Sequence, residues 1–564
     1  MKKCINLGLF IWFSMACLLM LACNDQPEEP VKPKEVDIVE QPEALDVRIG
    51  KNIQTSLEFV LANKGKLNDT VVLSKDTVIN ELYIKRNYEP AWCKQEKWLP
   101  ASDSLISFLG RAMECGLFPS DYHYKALHHI RDQTAADTLA QKDAALWSRA
   151  ELMLSDAFFT ICHHLKKGRL PYDSVTLRKD TMQIADYLAL FNQLLQSGNL
   201  TGLLTELEPK HEQYELLKSG LKAFLESIDT LKKYTFVGYP IRDAKDSIKI
   251  FKNLQRRLYE ENILDTIVKM DTTDFKIALR KYQKKKGLKQ TGKWDEATAR
   301  ALNNTPWEKF KQIAITLDRY KLLPDTMPTT YIWVNIPSFS MKIVDSDMVV
   351  MESRVIVGQP KTRTPLLNSV VTNFITYPQW TVPYSISVNE MLPKIQQSTG
   401  YLQAQNLMVV DRNDNVLNPD SIDWSRINKK NFPYIIKQRQ GDDNSLGVLK
   451  FNFANKYSVY LHDTNARWLF AKESRALSHG CVRVKDFMKL ADFLVRDDTL
   501  KFPPDTLRSW LTRKEKHVVS GFNKVPIFIR YFTCEYKDGK IRYYNDIYGE
   551  DRYLNERYFA DKIL

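Results

Sequence analysis

The chain has 564 residues, of which 44% are hydrophobic and 26% are charged. This composition is ordinary for folded soluble protein and excludes a disordered chain, a collagen-like repeat and a multi-span membrane protein. Lysine and arginine exceed aspartate and glutamate by 13. At roughly 150 residues per domain, the length predicts three or four domains.

Residues 1–22 have the features of a leader. Lys2 and Lys3 precede an apolar run that is too short and wrongly flanked for a spanning helix. The run ends with small Ala22 before Cys23, and polar residues follow. This resembles a bacterial lipobox, in which Cys23 is lipidated and becomes the mature N-terminus. An ordinary signal peptide cut nearby is the alternative.

Export changes how the charge and the cysteines are interpreted. An exported protein rarely meets nucleic acid, so we predict no nucleic-acid partner. The basic excess then indicates attraction to an acidic envelope polymer, or simply a solvated basic surface. Five cysteines remain beyond Cys23, and an odd number in an oxidising compartment leaves at least one thiol free. No CxxC pair exists, so we predict no metal site and no cofactor. The pairing stays open for Cys93, Cys115, Cys162 and Cys534.

Helical patterns follow the leader. Residues 23–46 are rich in proline and charge without apolar periodicity, which predicts an extended tether. Residues 47–240 carry apolar side chains at spacings of three and four, for example over 144–166. This spacing predicts an α-helical scaffold domain.

The sequence pattern over residues 241–305 predicts a small helical module. Asp274 and Asp295 fit the N-caps of two helices, with a Thr291-Gly292 turn between them. The string from Phe275 to Leu302 resembles the second half of a peptidoglycan-binding three-helix module, although such modules usually have Asp-Gly at this turn. A purely structural helical bundle is the alternative.

A connecting helix is predicted over 306–328, because residues 305–308 read Thr-Pro-Trp-Glu and fit the N-cap, N1 and N3 preferences of a helix start. Beyond it, short β-rich runs separated by turns predict a β-sandwich-like or barrel-like domain over 329–564. Residues 388–440 break this pattern and are interpreted as an insertion. The predicted fold class is therefore α+β and multidomain.

Two short segments carry the chemistry. Tyr460–Thr464 and Ser478–Val484 together hold one cysteine and two histidines. A free thiol is only a few per cent thiolate at neutral pH, and a partner imidazole can accept its proton. Gly480 permits a tight turn, and the amides of Gly480 and Cys481 can face a developing oxyanion. Taken alone, a cysteine and a histidine in this pattern more often form a buried cysteine beside a core histidine than a catalytic pair.

The complete pattern from His462 to Cys481 is more specific than a single cysteine and histidine. His462 is followed, after fifteen residues, by Ser-His-Gly-Cys, and this resembles the signature of L,D-transpeptidases, the cysteine enzymes that cross-link peptidoglycan. The resemblance is closest to the large multidomain branch and runs from about residue 80 to the end. Segments at 116–122 and 168–171 look like its helical scaffold. Those at 380–383 and 392–395 look like the entry into its inserted substrate-capping subdomain.

The resemblance implies a role for each residue of the motif. Cys481 would be the nucleophile and His462 the general base, oriented by the backbone carbonyl of Asp463. Backbone amides at His479, Gly480 and Cys481 would bind the oxyanion. The His479 side chain would be structural or positioning, not the base.

Substrate-binding residues are predicted around this motif. Ser478 lies within it, and Tyr460 and Trp380 either line the groove or belong to the core. Arg483, which stands where many members have Asn, either binds a substrate carboxylate bidentately or packs. The resemblance also implies inhibition by carbapenems that acylate Cys481.

The implied reaction is formation of 3→3 cross-links between diaminopimelate residues of peptidoglycan stem peptides, through a thioester on Cys481. Water as acceptor would make the protein an L,D-carboxypeptidase. Cleavage of existing cross-links or attachment of a protein to the wall would use the same thioester. A non-catalytic peptidoglycan-anchoring lipoprotein is the alternative from another class, and it would be expected to lack Cys481 or His462. The expected location is the cell envelope, facing the periplasm, with a lipid anchor in the membrane.

Overall fold

The structure is a computed structural model that describes residues 30–178, 180–229, 232–267, 270–503 and 505–560. The predicted leader and Cys23 lie outside these ranges. The chain forms two compact units. Within the described residues, the first unit comprises 30–110, 119–163 and 182–206, and the second comprises 111–118, 164–181 and 207–560.

The first unit is helical. Buried Glu151 organises it: this carboxylate accepts hydrogen bonds from the amides of Ala91, Trp92 and Cys93 at 2.8 Å and from the Tyr83 hydroxyl at 2.6 Å. Its first helix begins at residue 42, so the predicted tether boundary at 46 falls inside that helix. The helices that lie or begin in this unit are Pro42–Ala62, Asp76–Lys85, Pro100–Gly110, Tyr124–Ala136, Thr138–Gln141, Ala144–Lys167, Ile184–Ser197 and Leu200–Leu207, with a small hairpin of β1 (Cys93–Lys94) and β2 (Lys97–Trp98).

The second unit contains a three-helix module. Its helices are Ala244–Glu260, Thr272–Lys285 and Glu296–Asn303, and they enclose an apolar core. Asp295 caps the third helix as expected, while Asp271 rather than Asp274 caps the second. The Thr291 hydroxyl donates to Asp295 at 2.7 Å, which explains how threonine serves at this turn.

The connecting helix runs over Pro306–Lys321, and the side chain of Thr305 accepts from the Glu308 amide at 3.2 Å, which confirms the predicted N-cap. It packs with Phe118, Tyr214 and Phe532 in one apolar cluster. The helix Glu212–Glu226 contributes to the same cluster.

The β-rich domain is built on one nine-stranded sheet in the order β13-β5-β14-β12-β11-β6-β15-β3-β4, and β4 also pairs with β5. This extra pairing closes eight strands into a ring, to which β13 is attached. The α+β multidomain class is thus confirmed, with a barrel-like core. The strands are β3 (Thr330–Asn335), β4 (Ser340–Asp345), β5 (Met348–Gly358), β6 (Leu367–Thr376), β11 (Leu449–Phe453), β12 (Leu461–His462), β13 (Ala476–Ser478), β14 (Val482–Val484) and β15 (Val518–Arg530).

The insertion forms a capping subdomain between β6 and β11. It has its own four-stranded sheet and its own apolar cluster, so it is a small folded body rather than a loop. Its elements span 380–438, somewhat more than the predicted 388–440 at the N-terminal side. They are β7 (Trp380–Thr381), β8 (Leu407–Val410), β9 (Val416–Leu417) and β10 (Ile435–Gln438), with helical segments Tyr384–Ile386, Ser387–Met391, Leu392–Gln397 and Gly400–Ala404.

The C-terminal segment returns to the sheet. Helices Phe487–Val495 and Thr506–Thr512 precede β15, and the hairpin of β16 (Cys534–Lys537) and β17 (Lys540–Tyr543) turns at the predicted Asp538-Gly539. A last helix covers Glu550–Tyr558. Among the helices within the described ranges, none has the length and apolar character needed to cross a membrane.

Candidate active site

Two adjacent strands bring the motif together. Strands β12 and β14 pair in parallel, with Leu461 opposite Val482 and His462 opposite Arg483. The Leu461 and Val482 side chains lie in the apolar core. Because side chains alternate along a strand, His462 and Arg483 lie on the other face, together with the flanking Cys481. Pairing in the sheet therefore puts Cys481 and His462 on the same face of two neighbouring strands.

Cys481 sits in a half-buried position, and its Sγ lies 3.9 Å from the carbonyl oxygen of Ser458. Burial raises the pKa of this thiol. Hydrogen bonds from Tyr460 and the positive charges of Lys450 and Arg483 oppose that rise. The resting side chain is therefore a thiol at neutral pH, and attack on a substrate requires a base to take its proton.

His462 is suited to be that base. It is only 4% exposed. Burial, and then the charge of Arg483, lower the pKa of the imidazole to about 3. The ring is therefore neutral at physiological pH and free to accept a proton.

No carboxylate side chain holds the His462 ring by a hydrogen bond to Nδ1 within the described residues. The backbone carbonyls of Asp463 and Leu446 both favour the protonated ring and partly oppose the lowering of its pKa. Nδ1 makes no hydrogen bond within the described part of the chain. The buried Asp463 side chain instead accepts from Arg467 Nε at 2.9 Å and from the Val448 amide at 3.1 Å.

The Ser478 hydroxyl makes hydrogen bonds within the Ser-His-Gly-Cys turn. Ser478 Oγ donates to the Cys481 carbonyl at 2.6 Å and accepts from the Gly480 amide at 3.1 Å. Ser478 is buried, so its hydroxyl shapes the turn and does not face the groove. Gly480 adopts φ +119°, a conformation that other residues rarely take. With the Gly480 amide engaged, the Cys481 amide is the better candidate for an oxyanion donor.

The His479 side chain contacts the capping subdomain. It is exposed, and Nε2 lies 2.9 Å from Glu390 Oε1. The segment Ser387–Met391 that carries Glu390 is a π-helical turn. The cap therefore has a direct contact with the Ser-His-Gly-Cys turn.

The face around the thiol is positively charged. Lys450 pairs with His462 across β11 and β12, and its Nζ lies 4.2 Å over the Tyr460 ring. Burial lowers the pKa of Lys450 and that of Arg483. Arg483 Nε is buried without a hydrogen-bond partner among the residues that the structure describes. Sequence reasoning missed Lys450, although its place between core residues Leu449 and Phe451 puts it on the His462 face.

Trp380 and Tyr460 meet where the cap joins the groove. Tyr460 lies beside Cys481, and its hydroxyl interacts with the thiol. The Trp380 side chain acts on the same hydroxyl and packs against the cap's apolar cluster. Both residues are half-buried.

We found no group of three or more His, Cys, Asp or Glu side chains in the described ranges that is arranged to hold a metal ion.

Comparison with known families agrees with this geometry. Residues 329–506 match the L,D-transpeptidase catalytic domain, residues 250–302 match a family described as "Putative peptidoglycan binding domain", and residues 77–221 match a scaffold domain. The three matches follow the same order along the chain as the helical unit, the three-helix module and the β-rich domain. Peptidoglycan-related domains indicate the cell envelope as the setting.

Individual relatives are similar over parts of the chain. A Haemophilus influenzae protein named "Putative L,D-transpeptidase" is 35% identical over 254 residues, which is 43% of this chain and 49% of that protein. The chain thus spans about half the length of the curated relative it matches. A solved structure of the Ldtfm–avibactam carbamoyl enzyme shares 13% identity with a TM-score of 0.16, covering 38% of this chain and 61% of that one. Residues 329–506 are thus similar to the L,D-transpeptidase catalytic domain, within a chain of several domains.

Proposed function

We propose that this protein forms 3→3 cross-links in peptidoglycan, with Cys481 as nucleophile and His462 as general base. The observation that supports the proposal is the parallel pairing of β12 with β14, which puts part-exposed Cys481 and buried His462 on one face of the sheet. The substrates are stem peptides that contain diaminopimelate. No cofactor takes part in this mechanism.

Acylation begins when the thiol proton passes to His462 and Cys481 Sγ attacks the carbonyl carbon at the L-centre of diaminopimelate in a tetrapeptide. The carbonyl oxygen becomes an oxyanion and accepts a hydrogen bond from the Cys481 amide. Collapse of this intermediate breaks the bond to the terminal D-Ala. The D-Ala amine leaves with the proton from His462, and a thioester remains on Cys481.

The second half-reaction transfers the acyl group. The side-chain amine of diaminopimelate in another stem attacks the thioester carbonyl, loses a proton to His462 and forms an amide bond. The sulfur leaves as thiolate and regains its proton from His462. Lys450 and Arg483, which lie on the same face as the thiol, would attract the carboxylates of these stems.

The capping subdomain favours transfer over hydrolysis. Its Trp380 reaches Tyr460, and its Glu390 reaches His479, so it covers the groove next to the nucleophile. Excluding water protects a thioester from hydrolysis while the acceptor amine enters. For the protein in the cell we propose anchoring of the chain to the membrane through lipid on Cys23, facing the periplasm.

The test is analysis of muropeptides after incubation of the purified protein with tetrapeptide-bearing peptidoglycan. We expect 3→3 dimers with the wild type and none with Cys481→Ala. Cys162→Ala, which removes a fully buried thiol of the first unit, is the matched control and should retain activity.

The product pattern separates the alternatives. Tripeptides without dimers would identify an L,D-carboxypeptidase, and loss of existing dimers would identify an endopeptidase. Unchanged muropeptides with both wild type and Cys481→Ala would contradict catalysis on these substrates.

A further inference from the structure

A hydrogen-bonded chain connects the C-terminal segment to the nucleophile's turn. Tyr548 lies beyond residues 329–506, which match the catalytic family, and it is 6% exposed. Its hydroxyl donates to the Gly358 carbonyl at 2.6 Å and accepts from the Thr364 amide at 3.1 Å. One phenol therefore holds both ends of the loop between β5 and β6.

Thr364 passes this constraint to the active site. Its hydroxyl donates to the Gly480 carbonyl at 2.8 Å and accepts from the Gly358 amide at 2.8 Å. Thr364 is 2% exposed, so water does not compete for these bonds. The loop that Tyr548 closes is thus attached to the peptide bond that precedes Cys481.

The same loop also holds the other side of the turn. The Gln359 amide and the Thr362 hydroxyl donate to the Ser478 carbonyl at 2.9 and 3.0 Å. The loop is tightly folded, because a Cβ on Gly358 would lie 2.1 Å from the Thr362 carbonyl oxygen. A shift of this loop would therefore move both ends of the Ser-His-Gly-Cys turn.

The orientation of one amide depends on this arrangement. In a trans peptide the carbonyl and the N–H point in opposite directions. Fixing the Gly480 carbonyl towards Thr364 consequently fixes the Cys481 N–H on the opposite side of the peptide. No acceptor for that N–H is found among the described residues.

Tyr548 is itself held rigidly. Its amide donates to the Tyr531 hydroxyl at 2.9 Å, and that hydroxyl donates to Asp546 at 2.6 Å. The two tyrosine rings stack with their centroids 5.7 Å apart. The C-terminal segment thus presents the Tyr548 hydroxyl in a fixed position, as a preorganised oxyanion site requires.

We propose that Tyr548 is a positioning residue for acyl transfer, which acts through Thr364 and the Gly480 carbonyl to aim the Cys481 amide at the oxyanion. This inference rests on the proposed function, because it assumes that Cys481 is acylated at a carbonyl. It assigns a role in the reaction to a segment outside the matched catalytic domain.

The test compares Tyr548→Phe, which removes only the hydroxyl, with Tyr544→Phe. Tyr544 is a matched control because its hydroxyl donates to Glu535 at 3.0 Å and makes no contact with the loop. Two reactions of Cys481 are followed by intact mass: acylation by a carbapenem, which develops an oxyanion, and alkylation by iodoacetamide, which does not. Loss of a whole oxyanion donor typically costs about 100- to 1,000-fold in kcat, and we expect misalignment to slow acylation about tenfold.

The expected pattern is slower acylation in Tyr548→Phe with unchanged alkylation and with both rates unchanged in Tyr544→Phe. Thr364→Val should resemble Tyr548→Phe, whereas Thr364→Ser, which keeps the hydroxyl, should restore the rate. Equal loss of both reactions, or unchanged acylation, would overturn the proposal. Wild-type protein that is acylated by the carbapenem but makes no 3→3 dimers would contradict the proposed function alone.

Discussion

At the scale of single residues, the site starts from a neutral pair. Burial raises the pKa of the Cys481 thiol and lowers that of the His462 imidazole. Both shifts disfavour a thiolate–imidazolium pair in the resting enzyme. The proton must therefore move during the attack, when the substrate carbonyl is already in place. A resting thiol also limits oxidation of Cys481, since the thiolate is the reactive form.

The lowered His462 pKa predicts an unusual pH profile. An ordinary histidine loses its basic form below about pH 6.5. With the pKa lowered to about 3, His462 stays neutral and basic throughout the range from pH 7 to pH 5. We expect the second-order rate of carbapenem acylation to change less than about threefold over this range. A half-maximal rate near pH 6.5 would show that the pKa of the imidazole is that of an ordinary histidine. A tenfold fall in the rate per pH unit would show that the thiolate forms before the substrate is attacked.

At the scale of elements, local signals and long-range contacts differ in how far the sequence reveals them. The N-cap at Thr305 and the turn at Asp538-Gly539 depend on neighbouring residues and were predictable. Cys481 and His462 were identified because their segment resembles a family signature. The hydrogen bond from the Tyr548 hydroxyl to the Gly358 carbonyl joins residues 190 positions apart, so no local sequence pattern predicts it.

The direction of the side chains explains why the sequence did not reveal the positions of Ser478 and Lys450. The sequence places Ser478 beside the nucleophile, but its direction into the turn depends on the φ of Gly480 and on the Cys481 carbonyl that it meets. Lys450 becomes a site residue only because β11 pairs with β12. That pairing is a contact between two strands, which periodicity within one strand does not encode.

The contact between the cap and the nucleophile's turn leads to a prediction for Glu390→Gln. The substitution keeps the shape of the side chain and removes the charge that faces His479 at 2.9 Å. Exposed ion pairs contribute little individually, so we expect about a twofold rise in the ratio of tripeptides to 3→3 dimers, as water reaches the thioester more often.

The matched control for this measurement is Glu473→Gln, which removes an equal charge from an exposed position of the catalytic domain. Its ratio of tripeptides to dimers should equal that of the wild type. An unchanged ratio in Glu390→Gln would show that this contact does not restrain the cap, and an equal rise in both variants would show a general effect of charge.

At the scale of the whole molecule, four of the five cysteines in the described ranges are buried, and Cys481 is the one that is part-exposed. Cys93 and Cys162 lie in the core of the first unit, and Cys115 and Cys534 in that of the second. Burial is the main cause that raises the pKa of each of these four thiols. None of them forms a disulfide in the structure. Among the described cysteines, Cys481 is therefore the thiol that a reagent can reach in the folded protein.

This arrangement predicts the number of reactive thiols among the five cysteines of the described residues. We expect a maleimide to label one thiol rapidly in the native state, and the other four at least about a hundredfold more slowly, because they react only after local opening. Full denaturation should expose five. Intact mass after timed labelling measures both numbers, and Cys481→Ala should show no rapid labelling. A second rapidly labelled site would contradict the burial described here, and fewer than five thiols after denaturation without reductant would reveal a disulfide.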